Sequence, residues 1–440
     1  MSDDSGPLIT HHSAPITLTG VAHGGEAVGR VGDLVAFVSL GLPGERVAFE
    51  VLERRPRYVR GRTVEVLEAS PARVTPPCPI FGTCGGCHWQ HASYQAQLEL
   101  KTAVLREQLA RVARIVEPPV EPAVPSPLEW HYRNTVQLVP DREHAEQRLL
   151  CFQRSRSHDL VPVEHCYIAD HLINRTIADA PWGVLSERTW TALEGVLVRV
   201  APERALQLTF VAEMPVPARE VRLFAEQAGA TLPELAGVLV APTRGGAARV
   251  VWGNASLEYE LAGSSLEVPA GAFFQVNVGA AARLAERVVE WLEPEPGNAV
   301  LDAYAGVGTL TLPLARRAAA VLAVEAHPPA AEAAARNAAR NGVANVAVQP
   351  GQVEDALAKH RGRVDLTVVD PPRRGCSPQA LRALAALRPR RLAYVSCEPS
   401  TLARDVRLLD LLGYRLARAC VIDLFPQTFH LETLALLEQG

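Results

Sequence analysis

Residues 300–315 read VLDAYAGVGTLTLPLA: an apolar run carrying Asp302, then Gly306 and Gly308, then a helix-forming stretch. Strand, glycine turn and helix in that order open a doubly wound α/β sheet, which holds its ligands at the carboxyl ends of its strands. Glycines let the backbone pass close beneath a ligand, and the acidic residue decides which ligand. A dinucleotide pyrophosphate would be repelled by Asp302, whereas the ammonium of a methionine moiety would be attracted. Thr311 stands where the dinucleotide fingerprint has its third glycine. Glu325 ends the next apolar run, AAVLAVE, where a carboxylate can accept both ribose hydroxyl protons. The turn with both acids points to S-adenosylmethionine rather than NAD. An unrelated α/β binding domain with a glycine turn is the plainer alternative.

The alternation continues downstream through NVAVQ (345–349), VDLTVVD (364–370), RLAYVSC (391–397), YRLARACVIDL (414–424) and LETLALLE (431–438), with helix-length segments between most of them. A mainly parallel sheet is therefore expected from about residue 269 to 440. One strand ends in Asp370-Pro371-Pro372-Arg373, another in Ser396-Cys397-Glu398-Pro399, with a helix expected from near Ser400. A cysteine between a strand end and a helix N-terminus feels the positive end of the dipole, which favours thiolate and makes Cys397 a candidate nucleophile. A lone cysteine is otherwise more often a small buried hydrophobe. Glu432 opens the last strand, and a carboxylate shielded from water can serve as a base. Thiolate, methyl donor and base are the three requirements for methylating a pyrimidine at C5. The thiolate adds to C6, C5 becomes nucleophilic, and the base then removes the C5 proton.

Upstream, residues 14–69 hold five alternating runs separated by Gly- or Pro-containing turns, the pattern of a small closed barrel of the oligonucleotide-binding type. Arg54, Arg55, Arg57, Arg60 and Arg62 surround Tyr58 there, a set suited to an RNA backbone and one stacked base, or to a solvated hairpin tip. Cys78, Cys84 and Cys87 follow, with five and then two residues between them in a glycine-loosened loop. In a cytosolic protein such spacing suggests a metal centre rather than disulfides, and the intervals differ from the three-then-two pattern of radical S-adenosylmethionine enzymes. A helix is expected over about 94–112, then a proline-rich linker at 115–127. Residues 128–268 show mixed, weakly informative patterning, with strand-like runs NTVQLV, RLLCF, ALQLTFV and GVLVAP. Arg154 and Arg156 could extend an RNA-binding face or lie in a solvated loop. Cys376 reads as a bystander and Cys420 as core.

With 440 residues, 48% of them apolar and 21% charged, the chain can bury two to four domain cores and is not disordered. The formal charge is −4, yet Lys101 and Lys359 are the only lysines among 44 cationic residues. The remaining arginines suit bidentate phosphate contact, although genome-wide codon bias is a simpler cause. No apolar run approaches the roughly 18–20 residues of a membrane span. The acidic start MSDDSGPLIT is unlike a signal peptide, so a cytoplasmic location is expected.

The motifs AFFQVN (272–277), LDAYAGVGTL (301–310), DPPRRG (370–375), SCEPSTLARD (396–405) and HLETLALL (430–437) resemble those of the TrmA/RumA-type RNA uracil-C5 methyltransferases. The likeness is greatest to the ribosomal branch that carries an iron–sulfur cluster, and it spans nearly the whole chain. It implies an α/β multidomain enzyme: an OB-like TRAM β-barrel over 1–72, a central iron–sulfur α+β domain over 73–268, and a Rossmann-like methyltransferase domain over 269–440. It implies Cys397 as nucleophile and Glu432 as base. Gln275, Tyr304, Thr309, Glu325, Gln352 and Asp370 are implied as cofactor contacts, beside Asp302, Gly306 and Gly308 of the glycine turn. Tyr304 and Thr309 stand where some members have Phe and Asn. Cys166 matches the family's fourth cluster ligand, with Cys151 as competitor. A [4Fe–4S] cluster of architectural or RNA-positioning role is implied, with four-cysteine zinc as the alternative. The expected product is 5-methyluridine in large-subunit ribosomal RNA, made by a monomer. Methylation of transfer RNA uridine or of RNA cytosine, and a non-catalytic RNA-binding assembly factor, are the competing expectations.

Overall fold

Alternating apolar residues close the N-terminal strands on themselves. In the computed structural model, which describes residues 14–202, 204–243 and 246–440, β1 (Ile16–Val21), β2 (Ala27–Val31), β3 (Leu34–Ser39), β4 (Arg46–Arg54) and β5 (Tyr58–Glu68) form a closed barrel in the order β1-β2-β3-β5-β4. Leu18, Val38, Val47 and Phe49 fill its interior. Gly61 is required on β5, because a Cβ there would lie 2.3 Å from the Glu50 carbonyl oxygen.

Helix α1 (Tyr94–Arg111) contributes Val104, Leu105 and Leu109 to the core of the C-terminal domain. The proline-rich segment after it is not a free tether. Val120 and Val124 form parallel bridges with Ala419 and Ile422, covering backbone groups that a sheet edge would leave open.

The central region is a seven-stranded sheet built from β6 (Thr135–Pro140), β7 (Leu150–Gln153), β8 (Leu160–Pro162), β9 (Leu193–Ala201), β10 (Ala205–Ala212), β11 (Leu235–Pro242) and β12 (Arg249–Gly253). Its order is β12-β11-β10-β9-β6-β7-β8, and it carries α2 (His171–Asp179), α3 (Glu187–Ala192) and α4 (Ala218–Thr231). The hairpin β13 (Ser256–Leu261) and β14 (Ser264–Pro269) buries Leu257, Tyr259, Leu266 and Val268 in the C-terminal core. That core therefore begins ahead of the boundary expected at residue 269.

The C-terminal sheet takes β15 (Ala299–Ala303), β16 (Ala320–Glu325), β17 (Val346–Pro350), β18 (Leu366–Val369), β19 (Arg391–Ser396), β20 (Tyr414–Ile422) and β21 (Glu432–Gln439) in the order β17-β16-β15-β18-β19-β21-β20. Helices α5 (Val278–Leu292), α6 (Thr311–Ala315), α7 (Pro328–Arg340), α8 (Val353–Lys359), α9 (Pro378–Ala386) and α10 (Pro399–Leu411) accompany it. The winding reverses between β15 and β18, which opens a crevice at their carboxyl ends. Strand β21 runs antiparallel to both neighbours. Its first residue consequently returns to the same edge of the sheet as the last residue of β19. Among the described residues no helix is long and apolar enough to cross a membrane.

Candidate active site

The pairing of Ser396 on β19 with Thr433 on β21 brings the two adjoining residues, Cys397 and Glu432, to one place at the crevice. Glu432 is 3% exposed. Burial holds its carboxyl well above the usual range, Asp370 adds to the effect, and Arg373 opposes it. The Cys397 thiol is pushed up to about 11, first by burial and then by the negative field of Glu432; Arg373 opposes both through its charge and a hydrogen bond to the sulfur. Burial also raises Asp370 to about 7.

A helix N-terminus favours the thiolate, and the surroundings of Cys397 oppose that effect. The N-terminus of α10 belongs to Glu398, whose Oε1 accepts hydrogen bonds from the Ser400 amide (3.3 Å) and hydroxyl (2.6 Å). His23, first, and then these bonds bring the Glu398 carboxyl down to about 2. Glu398 answers the dipole, and burial beside Glu432 and Asp370 favours the protonated thiol. Sequence reasoning missed Arg373, a cation that offsets the acids around the thiol. Its signal was an arginine closing Asp-Pro-Pro at a strand end.

Three left-handed residues, Tyr304 (φ 69°), Gly306 (φ 56°) and Gly308 (φ 96°), fold the chain after β15 beneath the crevice. The Glu325 carboxylate fastens this turn to β16, accepting the Gly306 amide at 2.8 Å and the His327 amide at 2.7 Å. Asp302 is 1% exposed and does not face an open ammonium site through both oxygens. Its Oδ2 accepts the Thr311 hydroxyl at 2.5 Å, while Oδ1 is buried without a hydrogen-bond partner among the described residues. Burial pushes this carboxyl to about 7. An orphaned acceptor beneath a glycine turn fits a donor delivered by a bound cofactor or its water. Thr309 and Tyr304 are half-buried along the turn, and Gln352 is exposed just ahead of α8. Gln275 is buried before α5, with its carbonyl accepting the Asn134 side-chain amide at 2.9 Å.

Cys78, Cys84, Cys87 and Cys166 line a single cavity of about 340 Å³, shared with His165 and His430. Burial raises the Cys84 and Cys166 thiols and drives Cys87 to about 12, the neighbouring thiols adding to it. Cys151 is buried in β7 and is absent from that lining. Among the described residues no three His, Cys, Asp or Glu side chains approach closely enough to hold one metal ion. Cys376 and Cys420 are buried. The cysteine segment is anchored beside the active site, since the His88 and Trp89 amides donate to the Gln427 carbonyl at 2.9 and 3.0 Å.

Arg60 and Arg62, with Arg154 and Arg156, line a groove of about 950 Å³ between the barrel, the cysteine loop and residues 152–158. Arg54, Arg55 and Arg57 are exposed on the β4–β5 hairpin, outside that lining. Tyr58 is not a free stacking ring: Arg60 lies 5.6 Å from its centroid and Phe37 meets it edge-on. Glu26 draws Arg156 to 2.9 Å and Arg60 to 3.5 Å.

Over residues 262–440 the chain matches the family described as tRNA (Uracil-5-)-methyltransferase. It is 34% identical to an uncharacterized RNA methyltransferase of Gloeobacter violaceus, covering 99% of both chains. A second such protein, from Halalkalibacterium halodurans, is 32% identical over 100% of this chain and 99% of its own. The fold is that of the solved tRNA (uracil-54, C5)-methyltransferase of Pyrococcus abyssi in complex with S-adenosyl-L-homocysteine, with a TM-score of 0.74, 24% identity, and 96% and 100% of the two chains covered.

Proposed function

The chain belongs to the RNA (uracil-5-)-methyltransferase family of S-adenosylmethionine-dependent enzymes, and from that premise we propose that it methylates C5 of a specific uridine in large-subunit ribosomal RNA through a transient Cys397–C6 bond. The observation that carries this reading is the placement of Cys397 and Glu432 at adjoining strand ends, where Asp370 and Arg373 act on both.

S-adenosylmethionine, when bound, supplies an electrophilic methyl group. Residues Asp302, Tyr304, Thr309, Glu325, Gln352, Asp370 and Gln275, with the turn at Gly306 and Gly308, are the ones we assign to holding it. Once its proton has passed to water, the Cys397 sulfur bonds to C6 of a uracil flipped out of its stack. The ring's electron pair moves onto C5 and the conjugated carbonyl, and C5 accepts the methyl group. Glu432 then removes the C5 proton, the C5–C6 double bond reforms, and the sulfur leaves with its electron pair. Arg373 steadies whichever of the two groups carries the negative charge.

We assign a [4Fe–4S] cluster to Cys78, Cys84, Cys87 and Cys166. What supports this is that the four thiols line one cavity; a four-cysteine zinc site is the competing occupant of the same residues. Bound there, the cluster would supply four iron–thiolate bonds tying the 78–87 loop to Cys166. The ribosomal assignment rests on this cysteine set; the family description favours transfer RNA as the second reading.

The test offers unmodified large-subunit ribosomal RNA and transfer RNA transcripts to the enzyme with labelled cofactor and identifies the product nucleoside. Expected is 5-methyluridine in the ribosomal transcript. Methylation confined to transfer RNA overturns the substrate, and 5-methylcytidine overturns the reaction. Cys397→Ala should abolish turnover while cofactor binding persists. Glu432→Gln should accumulate a covalent RNA–protein adduct visible on a denaturing gel.

A further inference from the structure

The β1–β2 loop closes on itself, with the Ala22 amide donating to the Glu26 carbonyl and the Gly25 amide to that of Ala22, and it reaches beyond the barrel. His23 Nε2 lies 3.1 Å from Glu398 Oε1, on the residue immediately after Cys397. Gly25 is pressed against the segment leading to Glu432, since a Cβ there would fall 2.7 Å from Phe429 Cβ. The Gly25 carbonyl also accepts the Trp89 indole N–H at 2.9 Å, two residues from Cys87. One short barrel loop thus touches the nucleophile turn, the approach to the base and the cysteine segment. The same loop lines the arginine-bearing groove through His23, Gly24, Gly25 and Glu26.

The Cys397 turn is otherwise held by local contacts. The Ser396 hydroxyl donates to the Glu398 carbonyl at 3.1 Å and accepts the Glu398 amide at 3.2 Å, and the Glu398 carboxylate caps α10 through Ser400. His23 is the contact this carboxylate makes outside its own turn among the described residues. We propose that His23 is a positioning residue: it fixes Glu398, and through it the Cys397 turn, so that the docked barrel completes the active site and RNA seated in the groove bears on the element that aims the nucleophile. The inference rests on the reading of Cys397 as nucleophile and deepens it.

The test compares the full-length wild type, His23→Ala, Glu398→Gln, the double variant, His23→Arg and Cys397→Ala on whichever transcript the wild type methylates. His23→Ala and Glu398→Gln should each lower kcat about tenfold, with KM for RNA within about twofold and the melting temperature little changed. The double variant should be no worse than either single one, because both remove the same contact. His23→Arg should restore part of kcat, which a packing role would not produce. An inactive Cys397→Ala beside a His23→Ala of unchanged kcat overturns this inference alone. A raised KM with unchanged kcat also overturns it, making His23 an RNA contact. Turnover by Cys397→Ala overturns the underlying reading instead.

Discussion

Asp302, Asp370 and Glu432 are all acids whose folded state holds its proton more tightly than the unfolded chain. For Asp302, raised from 3.8 to about 7, the folded protein binds the extra proton between those values. Stability therefore falls as pH rises through that window. Asp302→Asn removes this cost, which amounts to at most about 4 kcal/mol. Its melting temperature should exceed the wild type's at pH 8, and the gap should close as pH falls towards 4; a pH-independent gap in thermal scans would contradict the assignment. A second consequence concerns turnover. With the Cys397 thiol of the free protein near 11, kcat/KM should rise with pH across the alkaline range. Arg373→Met removes the opposing cation, so it should cut turnover roughly 10²-fold at pH 8 and displace that rise to higher pH in a pH–rate profile. The strand-end positions of Cys397 and Glu432 were legible, because strand ends announce themselves. Arg373 and the capping role of Glu398 were not, since both depend on which acids the fold places nearby.

At the scale of elements, α1 is joined to the segment following β20 by buried polar contacts. Lys101 and Asp423 are both 0% exposed, and the ammonium donates to Asp423 at 2.6 Å and to the Phe425 carbonyl at 2.9 Å. Gln97 and Gln427 exchange two bonds beside them, at 2.9 and 2.8 Å. Breaking one side of a buried pair strands the other charge. Lys101→Met should thus lower the unfolding free energy by about 3–5 kcal/mol, and Lys101→Met with Asp423→Leu should recover most of it. Denaturant titration of both variants checks this, and a double variant as weak as the single one would argue against it. The sequence pattern finds the helix at 94–112 but says nothing of the buried partners of Gln97 and Lys101. Likewise the prolines of 115–127 signal an irregular segment without revealing that it will edge β20, because that edge exists only once the sheet has formed.

For the molecule as a whole, the barrel strands and the C-terminal strands follow the sequence pattern closely, since each alternates or runs apolar between clear turns. The central sheet follows it in part, with β6, β7, β10 and β11 on strand-like runs. Strand β9 was hidden in a mixed stretch, and the β13–β14 hairpin packs onto a core that its position in the chain does not suggest. Arginines from two regions, Arg60 and Arg62 on the barrel and Arg154 and Arg156 beyond the cysteine loop, meet in one groove. Arg154→Ala with Arg156→Ala should weaken RNA binding and reduce the slope of log affinity against log salt by about 1.4, at about 0.7 for each lost contact to single-stranded RNA. An unchanged slope would place the RNA elsewhere. The most direct measurement incubates the enzyme and cofactor with RNA carrying 5-fluorouridine, whose C5–F bond a base cannot break, and identifies the modified peptide by mass spectrometry. The account predicts a methylated fluoropyrimidine nucleotide bonded to Cys397. A nucleotide bonded to any other residue, or no adduct from an enzyme that methylates ordinary RNA, would contradict it.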